Sequence, residues 1–203
     1  MDNIATWVLI GVTVLVSWRA FNDRALLERL VLWPPAIARH GQYGRLLSHG
    51  FIHADGMHLA FNMITLYFFG QALEGWFVER IGVVGYVLFY LSAVVVAILP
   101  TYLRHRHDPG YRSLGASGAV SAVLFSFILL APWAPIYIFL IPIGIPAFVF
   151  AIAYLGYSIW MDRRGTGNVN HSAHLWGAVY GMLFTVAMEP AVAITFPARL
   201  MQP

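Results

Sequence analysis

An uncharged stretch of 47 residues, Gly115 to Met161, constrains this chain more than any other feature. The hydrocarbon core of a bilayer takes about 20 helical residues to cross, so the stretch is too long for one crossing and long enough for two. The rest of the composition agrees: 60% of residues are hydrophobic and 10% are charged, where a soluble domain carries about 25% charged residues. The sequence therefore specifies an integral membrane protein, expected to be one domain over 1–203 built as a single bundle of several helices. No cysteine is present, which excludes disulfides and thiolate chemistry. The formal charge of +3 comes from twelve arginines and no lysine. They lie beside apolar segments rather than in a basic run, as interfacial anchors do, so no nucleic-acid partner is expected. The start, Met1-Asp2-Asn3, lacks the basic region of a signal peptide, and the first apolar segment is expected to remain as a membrane helix.

Six spans are read along the chain, at about 4–18, 57–73, 82–99, 115–131, 146–161 and 171–188. Between the first two lies a loop of nearly 40 residues. Its Asp23–Leu30 segment mixes charge and leucine at helical spacing, stops at Pro34-Pro35, and reads as an amphipathic helix along the membrane surface. Loops of this length usually carry function, and this one ends in a histidine series, His49, His53 and His58. Gly75 to Arg80 reads as a short turn. Ile136 to Ile145, with Pro142 and Gly144, cannot form a clean helix and reads as an apolar return segment.

With six spans and short connections, loops one, three and five share a face. His58 and Asn62 begin span two, Ser117 begins span four and His174 begins span six, so all four lie near that face. Polar groups at such depth usually turn toward the bundle interior or a cavity. Each has an ordinary structural alternative. Gly115, Gly118, Gly177 and Gly181 can serve simply to let helices approach, His58 and Asn62 can form an interhelical hydrogen-bond pair, and His174 can be a packing residue. His171 is a rival base closer to the loop. His49, His53 and His58 could bind a metal, but no carboxylate stands among them in a zinc-motif position, and neither metal nor cofactor is expected. Taken together, the set supplies what acyl transfer needs: Ser117 as nucleophile, His174 as base, and His58, Asn62 and the Ser117 backbone N–H as oxyanion donors.

From Arg45 to Gly181 the sequence closely resembles the rhomboid intramembrane serine proteases. The resemblance rests on Arg45 with His49 and His53, on His58-Leu59-Ala60-Phe61-Asn62, on Gly115-Ala116-Ser117-Gly118, and on Ala173-His174-Leu175-Trp176-Gly177 with Gly181. It implies an all-α membrane bundle of six transmembrane helices, a Ser117–His174 dyad without an acidic third member, and loop one as an embedded structural hairpin. It also implies single-pass membrane proteins as substrates, and a lateral entry gate at span five, which Pro142, Gly144 and Pro146 precede. Two positions depart from the family pattern. Gly44-Arg45 stands where a Trp-Arg pair is common. Ser121 stands four residues after the nucleophile, where a tyrosine often stacks on the catalytic histidine; the departure leaves open what holds the His174 ring, a place another aromatic could take.

Two other classes compete with a protease: a catalytically inactive relative that binds membrane clients, which the same fold supports, and a small channel or transporter. Retention of both Ser117 and His174 opposes the first, and the lack of an internal repeat opposes the second. Orientation divides two arguments. Ten arginines flank the active-site face against Arg80 and Arg199 on the other, which favours a cytoplasmic active site. The family resemblance implies the reverse, a bacterial inner-membrane protein opening to the extracytoplasmic side.

Overall fold

The structure, a computed structural model, describes residues 3–138, 143–165 and 169–202. It is nearly all helical. The first helix, α1 (Ile4–Asn22), outlasts its expected end at residue 18 by four residues. Loop one is not structureless. It holds α2 (Arg24–Leu30), capped by the Asp23 side chain, then α3 (Pro34–His40), α4 (Arg45–Ser48) and a 3-10 turn at His49–Phe51. Pro34 and Pro35 do end the amphipathic stretch, but they also open α3, because proline's fixed φ and missing N–H suit a first helical turn.

The second and third expected spans are the two helical arms of α5 (Gly56–His105), joined at one non-helical residue, and the boundary between them differs from the sequence reading. Gly75 to Arg80 is helical; the reversal falls on Gly82, whose φ of 73° and ψ of 171° break the helix. In an unbroken helix Gly70 and Tyr86 would stand about 24 Å apart. Here Tyr86 Oη lies 3.5 Å from the Gly70 carbonyl, so the element doubles back on itself. A single residue in the left-handed region suffices, which only glycine adopts cheaply. The arms, residues 56–81 and 83–105, are about 39 and 34 Å long at 1.5 Å per residue.

Next come α6 (Ser117–Leu130), α7 (Ala147–Arg164), α8 (His171–Met188) and α9 (Ala191–Leu200). Between α6 and α7 the chain is not purely helical. Strand β1 (Pro135–Tyr137) pairs antiparallel with β2 (Gly144–Pro146), an addition to the expected all-α fold. Prolines at 135 and 146 and glycine at 144 deny this stretch a helix, and the two short strands satisfy its backbone instead. Pro142 lies outside the described residues. Because β2 takes up Pro146, α7 starts at Ala147 and continues to Arg164.

Among the described residues α1 and α5 are each long and apolar enough to cross a membrane, and α8 with α9 makes a third only if the pair, bent by 114°, is counted as one span. Helix α6 has 14 residues, about 21 Å. It is interior: its residues from Gly118 to Phe125 are all buried, as expected of a helix that is apolar on every side. The arms of α5 and the face of α8 enclose it. The largest core cluster joins α1, both arms of α5 and α6, with Phe77, Tyr86, Phe89 and Tyr90 at its centre. At the end away from the Ser117 site, Glu74 is buried at 3% exposure and accepts hydrogen bonds from the Ala5 and Thr6 N–H groups at 3.0 and 2.8 Å. A carboxylate from α5 thus satisfies two of the four free amides that begin α1.

Candidate active site

The stretch before α6 is anchored to loop one by successive hydrogen bonds. Leu32 and Ser113 exchange backbone hydrogen bonds at 3.0 and 3.2 Å. The Gly115 N–H donates to the His49 carbonyl at 2.9 Å, and the Ala116 N–H donates to His53 Nε2 at 3.2 Å. The last bond settles the tautomer of a fully buried ring. With Nε2 accepting, Nδ1 carries the proton and donates to Ser17 Oγ at 2.9 Å, and the Ser17 hydroxyl donates onward to the Phe51 carbonyl at 3.0 Å. The chain from Ala116 through His53 to α1 closes only while His53 is neutral. Burial holds its pKa down at about 3, with the neighbouring His58 adding to the effect. His49 is likewise held at about 4 by burial, and its Nδ1 lies 3.1 Å from the Arg45 carbonyl. Two of the three sequence-singled histidines therefore have structural partners. Among the described residues no group of three metal-binding side chains occurs.

Ser117 is the first residue of α6. Val120 is the first amide of the helix to find its carbonyl, Ala116 at 3.0 Å, and the N–H groups of Ser117, Gly118 and Ala119 have no acceptor among the described residues. The Ser117 hydroxyl also makes no hydrogen bond among them, to His174 or elsewhere. Apo sites commonly show such loose geometry before substrate tightens it. Gly115 has a φ of 117°, and a Cβ there would stand 2.7 Å from His58 Cε1 and 2.9 Å from Nε2. A side chain at 115 is therefore excluded twice, by its backbone and by the imidazole against it. The Ala54 N–H reaches His58 Nδ1 at 3.4 Å, leaving Nε2 to carry the proton on the side that faces Gly115. Asn62 is 6% exposed. One of its amide hydrogens goes to the His58 carbonyl at 2.9 Å, and the second stays available.

His174 lies in the first turn of α8. That helix is capped by Asn170, whose Oδ1 accepts from the Ala173 N–H at 3.1 Å and from Thr101 Oγ1 at 3.1 Å. Its Nδ2 donates to Ser113 Oγ at 3.2 Å, so one residue ties the start of α8 to the loop that leads into Ser117. The two helices then touch backbone to backbone. A Cβ on Gly177 would run into the Gly118 carbonyl, and one on Gly181 into the Ala122 carbonyl. A Cβ on Gly118 would meet Ala97 at 2.7 Å, fitting α6 against α5 as well.

The His174 ring is held on two sides. Tyr154 of α7 stacks on it with centroids 6.0 Å apart and planes at 21°, and His171 meets it edge-on at 5.6 Å. His171 Nδ1 is buried and has no hydrogen-bond partner among the described residues. Ser117, His174, His58 and Asn62 line one cavity of about 1500 Å³. Tyr154 and Asn170 are the residues that sequence reasoning missed. Asn170 carries a local signal, a helix-capping residue type one position before the apolar run. Tyr154 carries none, since 33 residues separate it from Ser121, the position that calls for an aromatic.

Apolar helices around one cavity, with a serine at the start of one helix and a histidine at the start of another lining it, define a membrane protein with polar side chains gathered inside it. Residues 40–190 match the rhomboid domain, and the chain belongs to the rhomboid family. It is similar to the RHOMBOID-like protein 12, mitochondrial, of Arabidopsis thaliana, at 33% identity over 87% of this chain and 55% of that protein. Rhomboid protease GlpG of Serratia proteamaculans is 29% identical over 85% of this chain and 57% of its own length. Rhomboid protease GluP of Bacillus subtilis is 28% identical over 82% and 30% respectively. The chain spans about half the length, or less, of these relatives.

Proposed function

We propose that the protein is an intramembrane serine endopeptidase working through a Ser117–His174 dyad, within a bundle that crosses the membrane six times. The observation that carries this reading is the contact of α6 with α8. Glycines at 118, 177 and 181 bring the two helix starts together, with Ser117 on one, His174 on the other, and unpaired amides beside them. In the reaction His174 takes the Ser117 proton as Oγ attacks the scissile carbonyl carbon. The oxyanion is received by His58 Nε2–H, the free Asn62 amide hydrogen and the Ser117 N–H. His174 then returns the proton to the leaving amine, and the acyl group on Ser117 is released by water activated at the same imidazole. Gly115 supports the reading by admitting the His58 ring against the nucleophile loop.

Substrates on this reading are single-pass membrane proteins reaching the site from the bilayer. We place the protein in a bacterial inner membrane with its site opening to the extracytoplasmic side; the bacterial sources of GlpG and GluP support the bacterial part of this reading. Several arginines behind the opposing charge argument are engaged within the protein. Arg45 donates to the Glu28 and Val31 carbonyls, Arg104 pairs with Asp162 at 3.4 Å, and Arg112 stacks over Trp33. The test is labelling of purified protein with a serine-directed fluorophosphonate. Wild type is expected to react, and Ser117→Ala and His174→Ala to stay unlabelled while remaining folded. A wild-type protein that is folded yet inert would instead favour the inactive, client-binding relative.

A further inference from the structure

The residue at 121 and the residue at 154 form a unit that the site's chemistry leaves unexplained. Ser121 follows Ser117 by one helical turn, so both project from the same side of α6. Ser121 is 3% exposed, and its hydroxyl lies 2.7 Å from Tyr154 Oη. The Tyr154 ring is bounded by Phe125 at 5.5 Å, Phe150 at 5.8 Å and His174 at 6.0 Å, the last nearly parallel. Its offset stacking on the imidazole is within the range where aromatic pairs attract beyond simple burial. A bulkier side chain at 121 would fill the space that the Tyr154 hydroxyl occupies. The small residue on α6 and the long one on α7 are thus complementary.

We propose that Tyr154 is the positioning residue of His174, its ring forming the wall that sets the imidazole's orientation and its hydroxyl docked on Ser121. This rests on the reading of His174 as the general base. The aromatic support that Ser121 cannot supply from the nucleophile helix is delivered by α7 instead. A consequence is that the base depends on a helix carrying neither the nucleophile nor the base itself. Any displacement of α7 away from α6 withdraws the ring and loosens His174.

The experiment uses the full chain in detergent and compares Tyr154→Phe, Tyr154→Leu and Ser121→Ala, measuring the rate of fluorophosphonate labelling at Ser117 from pH 5 to 9. Leucine keeps apolar bulk against Phe125 and Phe150 but has no ring face; phenylalanine keeps the face and loses only the hydroxyl. Tyr154→Leu is expected to lose on the order of 10²-fold in maximal labelling rate, the effect of a misplaced reacting group. Its half-saturating reagent concentration should be unchanged, and the midpoint of its pH profile displaced. Tyr154→Phe should retain the wild-type profile within about threefold, and Ser121→Ala should fall between the two. Wild-type rates in Tyr154→Leu, or equal losses in the Phe and Leu variants, overturn the proposal alone. A folded wild type that never labels at Ser117 overturns the protease reading and this proposal with it.

Discussion

Replacing Gly177 with alanine tests whether backbone contact between α6 and α8 holds nucleophile and base at working distance. The added methyl would run into the Gly118 carbonyl oxygen, a backbone atom with no rotamer available for escape. Carbon and carbonyl oxygen come no closer than about 3.3–3.6 Å even in favourable contacts, so α8 must retreat from α6 by roughly 1 Å or more. Overpacking of this kind costs about 1–3 kcal/mol of stability. The same displacement carries His174 away from Ser117, and a misplacement of about 1 Å can cost on the order of 10²-fold in rate. Gly156 is the internal control: a Cβ there meets nothing within 4 Å, and alanine in mid-helix should be neutral or stabilising by about 0.5–1 kcal/mol. The assay pairs thermal unfolding in detergent with fluorophosphonate labelling. Gly177→Ala should melt lower and label about a hundredfold more slowly, while Gly156→Ala matches or exceeds wild type. Wild-type melting and labelling in Gly177→Ala would refute the reasoning, since the contact would then have slack that the structure does not show.

Other outcomes follow from individual contacts. Glu74→Ala strips the carboxylate from the Ala5 and Thr6 amides and should destabilise by about 1.5–3 kcal/mol, read as a lower unfolding midpoint, with Glu74→Gln recovering part of it. His53 and His49 have folded-state pKa values of about 3 and 4, below the ordinary 6.5. Their neutral forms stabilise the fold fully above pH 6.5, and that stability is lost as pH falls toward 4 and then 3; melting between pH 8 and 4 should show a steep acid limb that His53→Gln flattens. His58→Ala and Asn62→Ala should each reduce turnover, by up to about 10²–10³-fold for a single oxyanion donor, and full activity in both would remove them from that role. For orientation, His107→Cys and Val169→Cys in this cysteine-free chain should be reached by an impermeant maleimide in intact cells. Protection of both sites until lysis would show that the arginine distribution governs instead.

Much of the fold was legible because its signals are local. Apolar length locates helices, and polar residues at helix starts mark one face, so His58, Asn62, Ser117 and His174 could be read as a group before any geometry was known. Helix α8 begins at His171, after Asn170, and ends at Met188, just before the Glu189-Pro190 pair at which the sequence reading stops it. The errors were also local in origin. Gly75–Arg80, with its glycine and its charged end, reads as a short turn, yet Arg80 lies over the Trp76 ring and pairs with Glu189, and the helix runs through to Gly82.

What only the tertiary structure decided are the pairings between segments far apart in sequence. His53 reads equally well as a metal ligand or a loop residue until the Ala116 amide and Ser17 hydroxyl are seen on either side of its ring. Ser121 reads as a missing aromatic until Tyr154 arrives from α7 to meet it. The β1–β2 ribbon requires strands separated by a stretch with no strand periodicity. The physical reason is common to all three. Helix formation and burial in lipid depend on residues within a few turns of each other, whereas a hydrogen bond between helices depends on the rotation and depth of both, which small residues such as Gly118, Gly177 and Gly181 set through close packing.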